Sequence, residues 1–296
     1  MRFEHLIPLT FVGIWSTGFI SARLVAPYTD PLTFLVYRFL LSALAFALIA
    51  MAVRARWPRG LGGWGRALIT GILLQGIYLG GVFWAVNRGL PTGVASMVVG
   101  LQPLLTALLA LPLLRESVSP KKWRGIALGF GGALLVLAPQ LSASLEGVTL
   151  LPLLAVIISM FAITLGTIWQ KRTGAAVDLR TNAAVQFIGA AAVTAPAALL
   201  TEGGRFEPVW QSWVGLLWSV LGLSVGAIYL LLILIRRGSV ASVASLFYLV
   251  PPAVAVMAWL FFDEALGPVQ IVGMAIAVTG VAIVGRDGAP SKAAAR

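Results

Sequence analysis

Arg38 stands well inside the apolar run Leu32–Val53, about two helical turns from its start, and no other basic residue lies so deep in such a run. A guanidinium in that setting has to be paired, wetted or snorkelling. It would either attract a carboxylate on a ligand or tie its helix to backbone carbonyls or to an acid such as Asp30, Asp263 or Glu264. The uncharged polar residues offer a gentler chemistry. Gln75, Tyr78 and Val82 are spaced to share one helical face, and so are Ser96, Gly100 and Pro103. Gln102 adjoins Pro103, and Ser245 and Tyr248 precede the pair Pro251-Pro252. Each proline removes a backbone N–H, leaves a carbonyl free and lets its helix bend. With Trp15 as an apolar wall, Gln75, Tyr78, Gln102, Ser245 and Tyr248 would line a pocket for a small amphipathic molecule. The competing role for such residues is stitching helices together or forming an interfacial belt, and Trp169, Trp210 and Trp213, near run ends, fit the belt.

Other chemistries lack their residues. No Asp or Glu lies within an apolar run, the single histidine is His5 at the margin, and there is no cysteine. A membrane enzyme would need a nucleophile–base or metal constellation, so no catalytic residue, metal or cofactor is expected. A phosphate-binding Gly-x4-Gly-Lys loop is absent, which removes ATP drive within this chain. Proton relays and cation exchange generally use a membrane carboxylate or histidine. What remains is a neutral or zwitterionic small molecule moving down its own gradient. A proton-coupled exporter of other metabolites or drugs is the alternative. A receptor or scaffold is disfavoured because no sensing domain fits between the runs.

The elements that must position these residues are set by the solvent. Of 296 residues 59% are hydrophobic and 10% charged, with mean hydropathy +0.97. Water could not be faced with so little polar surface, so the bilayer is the expected partner. The net charge of +11 is dispersed between apolar runs and forms no nucleic-acid patch. Runs long enough to span are Leu6–Leu24, Leu32–Val53, Ala67–Val86, Thr92–Leu114 and Trp123–Ala138, then Val148–Trp169, Asn182–Leu200, Trp210–Ile235, Val240–Phe262 and Val269–Gly285. The first lacks a small-residue cleavage site and reads as a span rather than a signal peptide. With the N-terminus inside, all 21 Lys and Arg residues fall on inner segments except Arg23, Arg88, Arg205 and the intramembrane Arg38. Both termini are therefore expected in the cytoplasm of a cell whose inner membrane holds the protein.

The chain also repeats itself. Arg88-Gly89 matches Arg237-Gly238, Val94-Ala95-Ser96 matches Val243-Ala244-Ser245, and Pro103 matches Pro252. Glu116, Gly125, Gly132 and Val136 match Glu264, Gly273, Gly280 and Val284, and earlier Asp30 and Arg38-Phe39 match Asp178 and Gln186-Phe187. Five spans per copy is an odd number, so the second copy enters the membrane the other way up. The loop carrying Lys121, Lys122 and Arg124 accordingly becomes Val269, Gln270 and Val272. The expected fold is all-α and polytopic, with ten transmembrane helices as a 5+5 inverted-topology repeat. Its halves are 1–144 and 145–286, and 287–296 forms a disordered cytoplasmic tail. Gly125, Gly129, Gly132, Gly273 and Gly280 would let helices pack closely within a monomer, or serve a homodimer face. Glu116 and Glu264 are expected to bond loop backbone or cap the fifth and tenth helices.

Trp15, Pro31, Arg38-Phe39, Pro103, Glu116, Gly125 and Gly132, with Pro252, Glu264, Gly273 and Gly280, resemble the landmarks of the drug/metabolite transporter superfamily. The likeness is to its EamA-type family and covers essentially the whole chain. Within the family the chain looks most like bacterial amino-acid exporters of the YddG kind. That resemblance implies export of aromatic or other neutral amino acids by alternating access. The second copy departs from the pattern at Gln186 and Ser159, so an arginine-based role would be single-copy. The path is expected to run between the third, fourth, eighth and ninth helices.

Overall fold

Backbone in a lipid environment has to satisfy its own hydrogen bonds, and the apolar runs accordingly fold as helices. In the computed structural model, which describes residues 6–142, 149–174, 177–262 and 265–287, long helices follow one another along the chain. They are α1 (Leu6–Val25), α2 (Pro31–Ala52), α3 (Gly60–Asn87), α4 (Thr92–Leu114) and α5 (Pro120–Ser142), then α6 (Leu150–Thr173), α7 (Leu179–Thr201), α8 (Trp210–Arg237), α9 (Val240–Phe261) and α10 (Pro268–Asp287). Among the described residues nine helices are long and apolar enough to cross a membrane. The one extended pairing among them is an isolated bridge between Thr29 and Phe206. The protein is an all-helical, multi-pass membrane protein. His5, Glu146, Asp263, Glu264 and the tail 288–296 lie outside the described residues.

Several helices outrun the apolar stretches that mark them. α3 starts at Gly60 rather than Ala67, and its opening turn holds Trp64, which stacks on Trp57 with ring centroids 5.9 Å apart. α6 continues past Trp169 through Lys171 and Arg172, cations that suit the negative end of the helix dipole. Four helices are irregular in their middles. π-segments interrupt α3 at Ile72–Ile77 and α8 at Ser219–Ile228. α4 tightens at Gly100-Leu101, where the Leu101 amide donates to the Val98 carbonyl at 3.1 Å. α9 passes through a 3-10 turn at Leu246–Leu249. The breaks in α4 and α9 sit just before Pro103 and Pro251-Pro252, so each proline falls in the first turn of a new helical segment, where a missing N–H costs least.

Close backbone approach fixes the packing. α5 and α10 cross on glycines: a Cβ on Gly132 would lie 2.3 Å from the Ala277 nitrogen, and one on Gly125 would lie 2.7 Å from the Gly280 oxygen. α3 and α7 cross in the same way, with a Cβ on Gly71 meeting the Gln186 carbonyl and one on Gly189 meeting that of Leu68. α2 packs on α7 through Phe39, Phe46 and Phe187, whose rings lie 5.9 and 6.0 Å from one another across the interface.

Helix ends are tied by long-range caps. The Glu202 carboxylate accepts from the amides of Leu32 and Thr33 at 2.7 Å each and from the Thr33 hydroxyl at 2.9 Å, capping α2 from the end of α7. At the other end of the bundle Glu116 accepts from the Val240 amide at 3.1 Å. The glutamate does bind backbone, but it caps α9 rather than α5, because the turn after α4 carries it across to the neighbouring helix.

Candidate functional site

A cavity of about 540 Å³ enters the bundle from one end and stops near its middle. Its mouth is lined by Ala26, Thr29, Asn87, Thr92, Leu137 and Leu266, where α1, α3 and α5 finish and α2, α4 and α10 begin. Its floor is formed by Trp15, Tyr78, Gln102, Pro103, Phe247 and Tyr248, near the midpoints of α1, α3, α4 and α9. The irregular segments explain why these side chains converge. Tyr78 follows directly on the π-segment of α3, Gln102 and Pro103 follow the tight turn of α4, and Phe247 and Tyr248 lie within the 3-10 turn of α9.

The floor is aromatic with a few polar anchors. Trp15 lies 5.3 Å from both Phe11 and Phe247, edge-on to the latter, so its ring is held in place. Tyr248 is buried beside Phe130, and Gly129 makes room for it: a Cβ there would stand 2.6 Å from the tyrosine ring. The Tyr248 hydroxyl has no hydrogen-bond partner among the described residues. Gln102 donates through Nε2 to the Thr106 hydroxyl at 3.2 Å, which in turn donates to the Gln102 carbonyl at 2.8 Å. Pro103 cannot bond back to the Val99 carbonyl, and Val99 and Gly100 both line the cavity. Arg23 is the charged residue of the lining, and among the described residues no carboxylate belongs to it. Such a chamber accepts an apolar body and supplies donors and acceptors at its floor.

The residues singled out from sequence divide in two. Trp15, Tyr78, Gln102, Tyr248, Pro103 and Pro251 are brought together on the cavity wall, together with Val82, Ser96 and Gly100. Gln75, Arg38, Ser245 and Pro252 are not part of that lining. Gln75 is buried with its Oε1 unpartnered among the described residues, because the π-segment rotates it off the face of Tyr78. Ser245 spends its hydroxyl on the Ser242 carbonyl at 2.8 Å, and Pro252 is buried. Arg38 is buried and donates through Nε to the Ser224 hydroxyl at 3.1 Å, in the π-segment of α8, with no carboxylate within 4.0 Å among the described residues. Phe34, one turn earlier on the same helix, does face the cavity. α8 contributes nothing to the lining, because Ser21 and Thr17 bind it against α1 through Ser219, the Gly215 carbonyl and Trp218. α1 and α5 take its place beside α3, α4 and α9. Phe130 and Phe247 escaped sequence reasoning: no periodic signal separates them from other apolar residues of their helices.

At the opposite end of the bundle hydrogen bonds tie the helix ends together. Lys171 at the end of α6 donates to the Gly238 carbonyl at 2.6 Å and to that of Arg236 at 3.4 Å. Arg236 at the end of α8 donates to the carbonyls of Gly174 and Val177. Lys122 reaches the Ser239 hydroxyl at 3.4 Å, beside the cap that Glu116 places on α9.

A sequence model of the EamA-like transporter family matches residues 3–138 and again residues 150–286. The uncharacterized transporter YvbV of Bacillus subtilis (strain 168) is 27% identical over 288 residues, which cover 96% of this chain and 92% of that one. A protein of Escherichia coli (strain K12) named "Probable amino-acid metabolite efflux pump" is 26% identical over 171 residues, 58% of this chain and 54% of its own. A solved crystal structure superposes with a TM-score of 0.80 at 21% identity, covering 96% of this chain and 97% of the other, and so shares its fold.

Proposed function

The chain belongs to the EamA-like transporter family, and on that premise we propose that it is a secondary transporter of the cytoplasmic membrane exporting small neutral or zwitterionic metabolites. Amino acids with aromatic or other hydrophobic side chains are the substrate class. The ten helices act as two inverted halves, 1–144 and 145–286, with both termini cytoplasmic. Matched irregularities support that reading: π-segments in α3 and α8, interruptions in α4 and α9, and the glycine crossing of α5 on α10. In this topology the cavity faces outward and the Lys171–Arg236–Glu116 end is the closed inner gate.

The observation that carries the substrate class is the cavity itself. At about 540 Å³ it falls in the range of small-molecule sites. Its aromatic floor, the unpartnered Tyr248 hydroxyl and the Gln102 amide suit an apolar side chain attached to a polar head. The name of the Escherichia coli relative points the same way.

Counterflow in proteoliposomes tests the proposal. Labelled phenylalanine, tryptophan and leucine are expected to exchange across the membrane at rates indifferent to an imposed pH gradient. Gln102→Leu is expected to lower flux at normal protein level. Absence of flux for every neutral amino acid would refute the substrate class, and strict dependence on the gradient would refute the uncoupled mode.

A further inference from the structure

Away from the open cavity, three amide side chains meet between α6 and α7. The Gln170 Oε1 accepts from Gln186 Nε2 at 3.0 Å and from Asn182 Nδ2 at 3.3 Å. All three are buried, at 3%, 1% and 3% exposure for Gln170, Gln186 and Asn182. Gln186 Oε1 has no partner among the described residues. An amide acceptor left alone in a hydrophobic interior is a standing cost, and a ligand donor would relieve it. Next along α6 is Lys171, whose ammonium is held in the closed gate by the carbonyls of Gly238 and Arg236.

The position of the cluster becomes informative when the two halves are compared. The register that matches Asp30 with Asp178 also matches Ala22 with Gln170, Arg23 with Lys171 and Phe34 with Asn182. Ala22, Arg23 and Phe34 all line the cavity that is open here, while Arg38, the match of Gln186, is buried one turn beyond Phe34 on the Ser224 hydroxyl. In an inverted repeat, the matched positions line the same path when it opens to the other side. We infer that Gln170, Asn182 and Gln186 form a substrate-head site in the inward-facing path, with Lys171 joining them once the inner gate opens. This inference rests on the reading of two inverted halves.

The donor set defines the ligand. Amide oxygens accept from an ammonium, amide NH2 groups donate to a carboxylate, and the freed Lys171 ammonium pairs with that carboxylate. The site therefore takes a zwitterionic amino-acid head group. Two of the matched outer positions are Ala22 and Phe34, which can form no such hydrogen bonds.

The chain contains no cysteine, so single-cysteine variants can be read in the otherwise unaltered protein. Oriented membrane vesicles carrying Ser239→Cys, Asn182→Cys or Phe34→Cys are treated with a membrane-impermeant thiol reagent during turnover with phenylalanine. Ser239→Cys and Asn182→Cys are expected to react from the cytoplasmic side, and phenylalanine is expected to protect Asn182→Cys alone. Reaction at Ser239→Cys without reaction at Asn182→Cys would overturn the inference and leave the two-halves reading standing. Reaction at both without protection by phenylalanine would overturn the head-group site. Reaction of Phe34→Cys from outside, with neither of the others reacting from inside, would overturn the two-halves reading and the inference together. Gln186→Met provides a second reading, because it removes the orphan acceptor at similar shape. It is expected to raise the half-saturating phenylalanine concentration on the cytoplasmic side roughly tenfold, with no change on the outer side. An equal change on both sides would mark the cluster as a structural stitch.

Discussion

Placing one methyl group at Gly132 and one at Gly131 should give opposite results. A Cβ on Gly132 would lie 2.3 Å from the Ala277 nitrogen, 2.6 Å from the Gly273 oxygen and 2.8 Å from the Ala277 Cα. All three are backbone atoms, so no side chain can swing aside. Restoring ordinary contact requires α10 to withdraw by about 1 Å, and overpacking of this kind costs about 1–3 kcal/mol. The withdrawal also opens the Gly125–Gly280 contact further along the same crossing. Helices in lipid associate through packing rather than through exclusion of water, so no hydrophobic gain offsets the loss. A Cβ on Gly131 meets nothing within 4 Å. Gly131→Ala should therefore keep the fold and gain up to about 1 kcal/mol of helix propensity. Thermal unfolding of both variants in detergent, followed by the fluorescence of the 10 tryptophans, reads the difference directly. Gly132→Ala should melt below the parent and Gly131→Ala at or above it. Equal melting of the two variants would refute the view that α5 and α10 are held at backbone contact.

Two further outcomes follow from single side chains. Tyr248→Phe removes a buried hydroxyl without a described partner, so the free protein should be as stable as the parent or more stable by about 1 kcal/mol, while phenylalanine binding measured by fluorescence quenching should weaken. Stability that falls while binding holds would place that hydroxyl in the scaffold instead. Glu116→Ala deletes the acceptor for the Val240 amide, a cap worth about 1 kcal/mol. Cytoplasmic labelling of Ser239→Cys should rise in that background, and unchanged labelling would separate the cap from the gate.

The apolar runs made the helices legible, since a span must be long and uncharged wherever lipid touches it. Their ends were less so: Gly60 to Arg66 and Lys171 to Thr173 are helical yet polar enough to fall outside a hydrophobic window. The site was legible where chemistry interrupts apolarity. Tyr78, Gln102 and Tyr248 stand out as polar residues in spans, and all three reach the cavity. Gln75 did not follow Tyr78, because that pairing assumes a regular α-helical turn and the turn between them is wider. Phe247 and Tyr248 are adjacent and diverge by about 100° or more on any helix, yet both line one chamber, Phe247 beside Trp15 and Tyr248 beside Phe130. Departures from helical period leave little mark on composition, and here they set the shape of the chamber.

The closed end of the bundle carries a consequence for how the sequence can vary. Lys171 and Arg236 are anchored by the main-chain oxygens of Gly238, Arg236, Gly174 and Val177 rather than by acids. A main-chain oxygen survives any replacement of its own side chain and carries no proton to lose. This fastening should therefore tolerate acidic surroundings, and of the receiving residues Gly174 is the one a side chain would crowd, a Cβ there lying 2.7 Å from the Gln170 carbonyl oxygen. Mutation can remove the two cations and the Glu116 cap beside them, which concentrates the tuning of the gate in Lys171, Arg236 and Glu116.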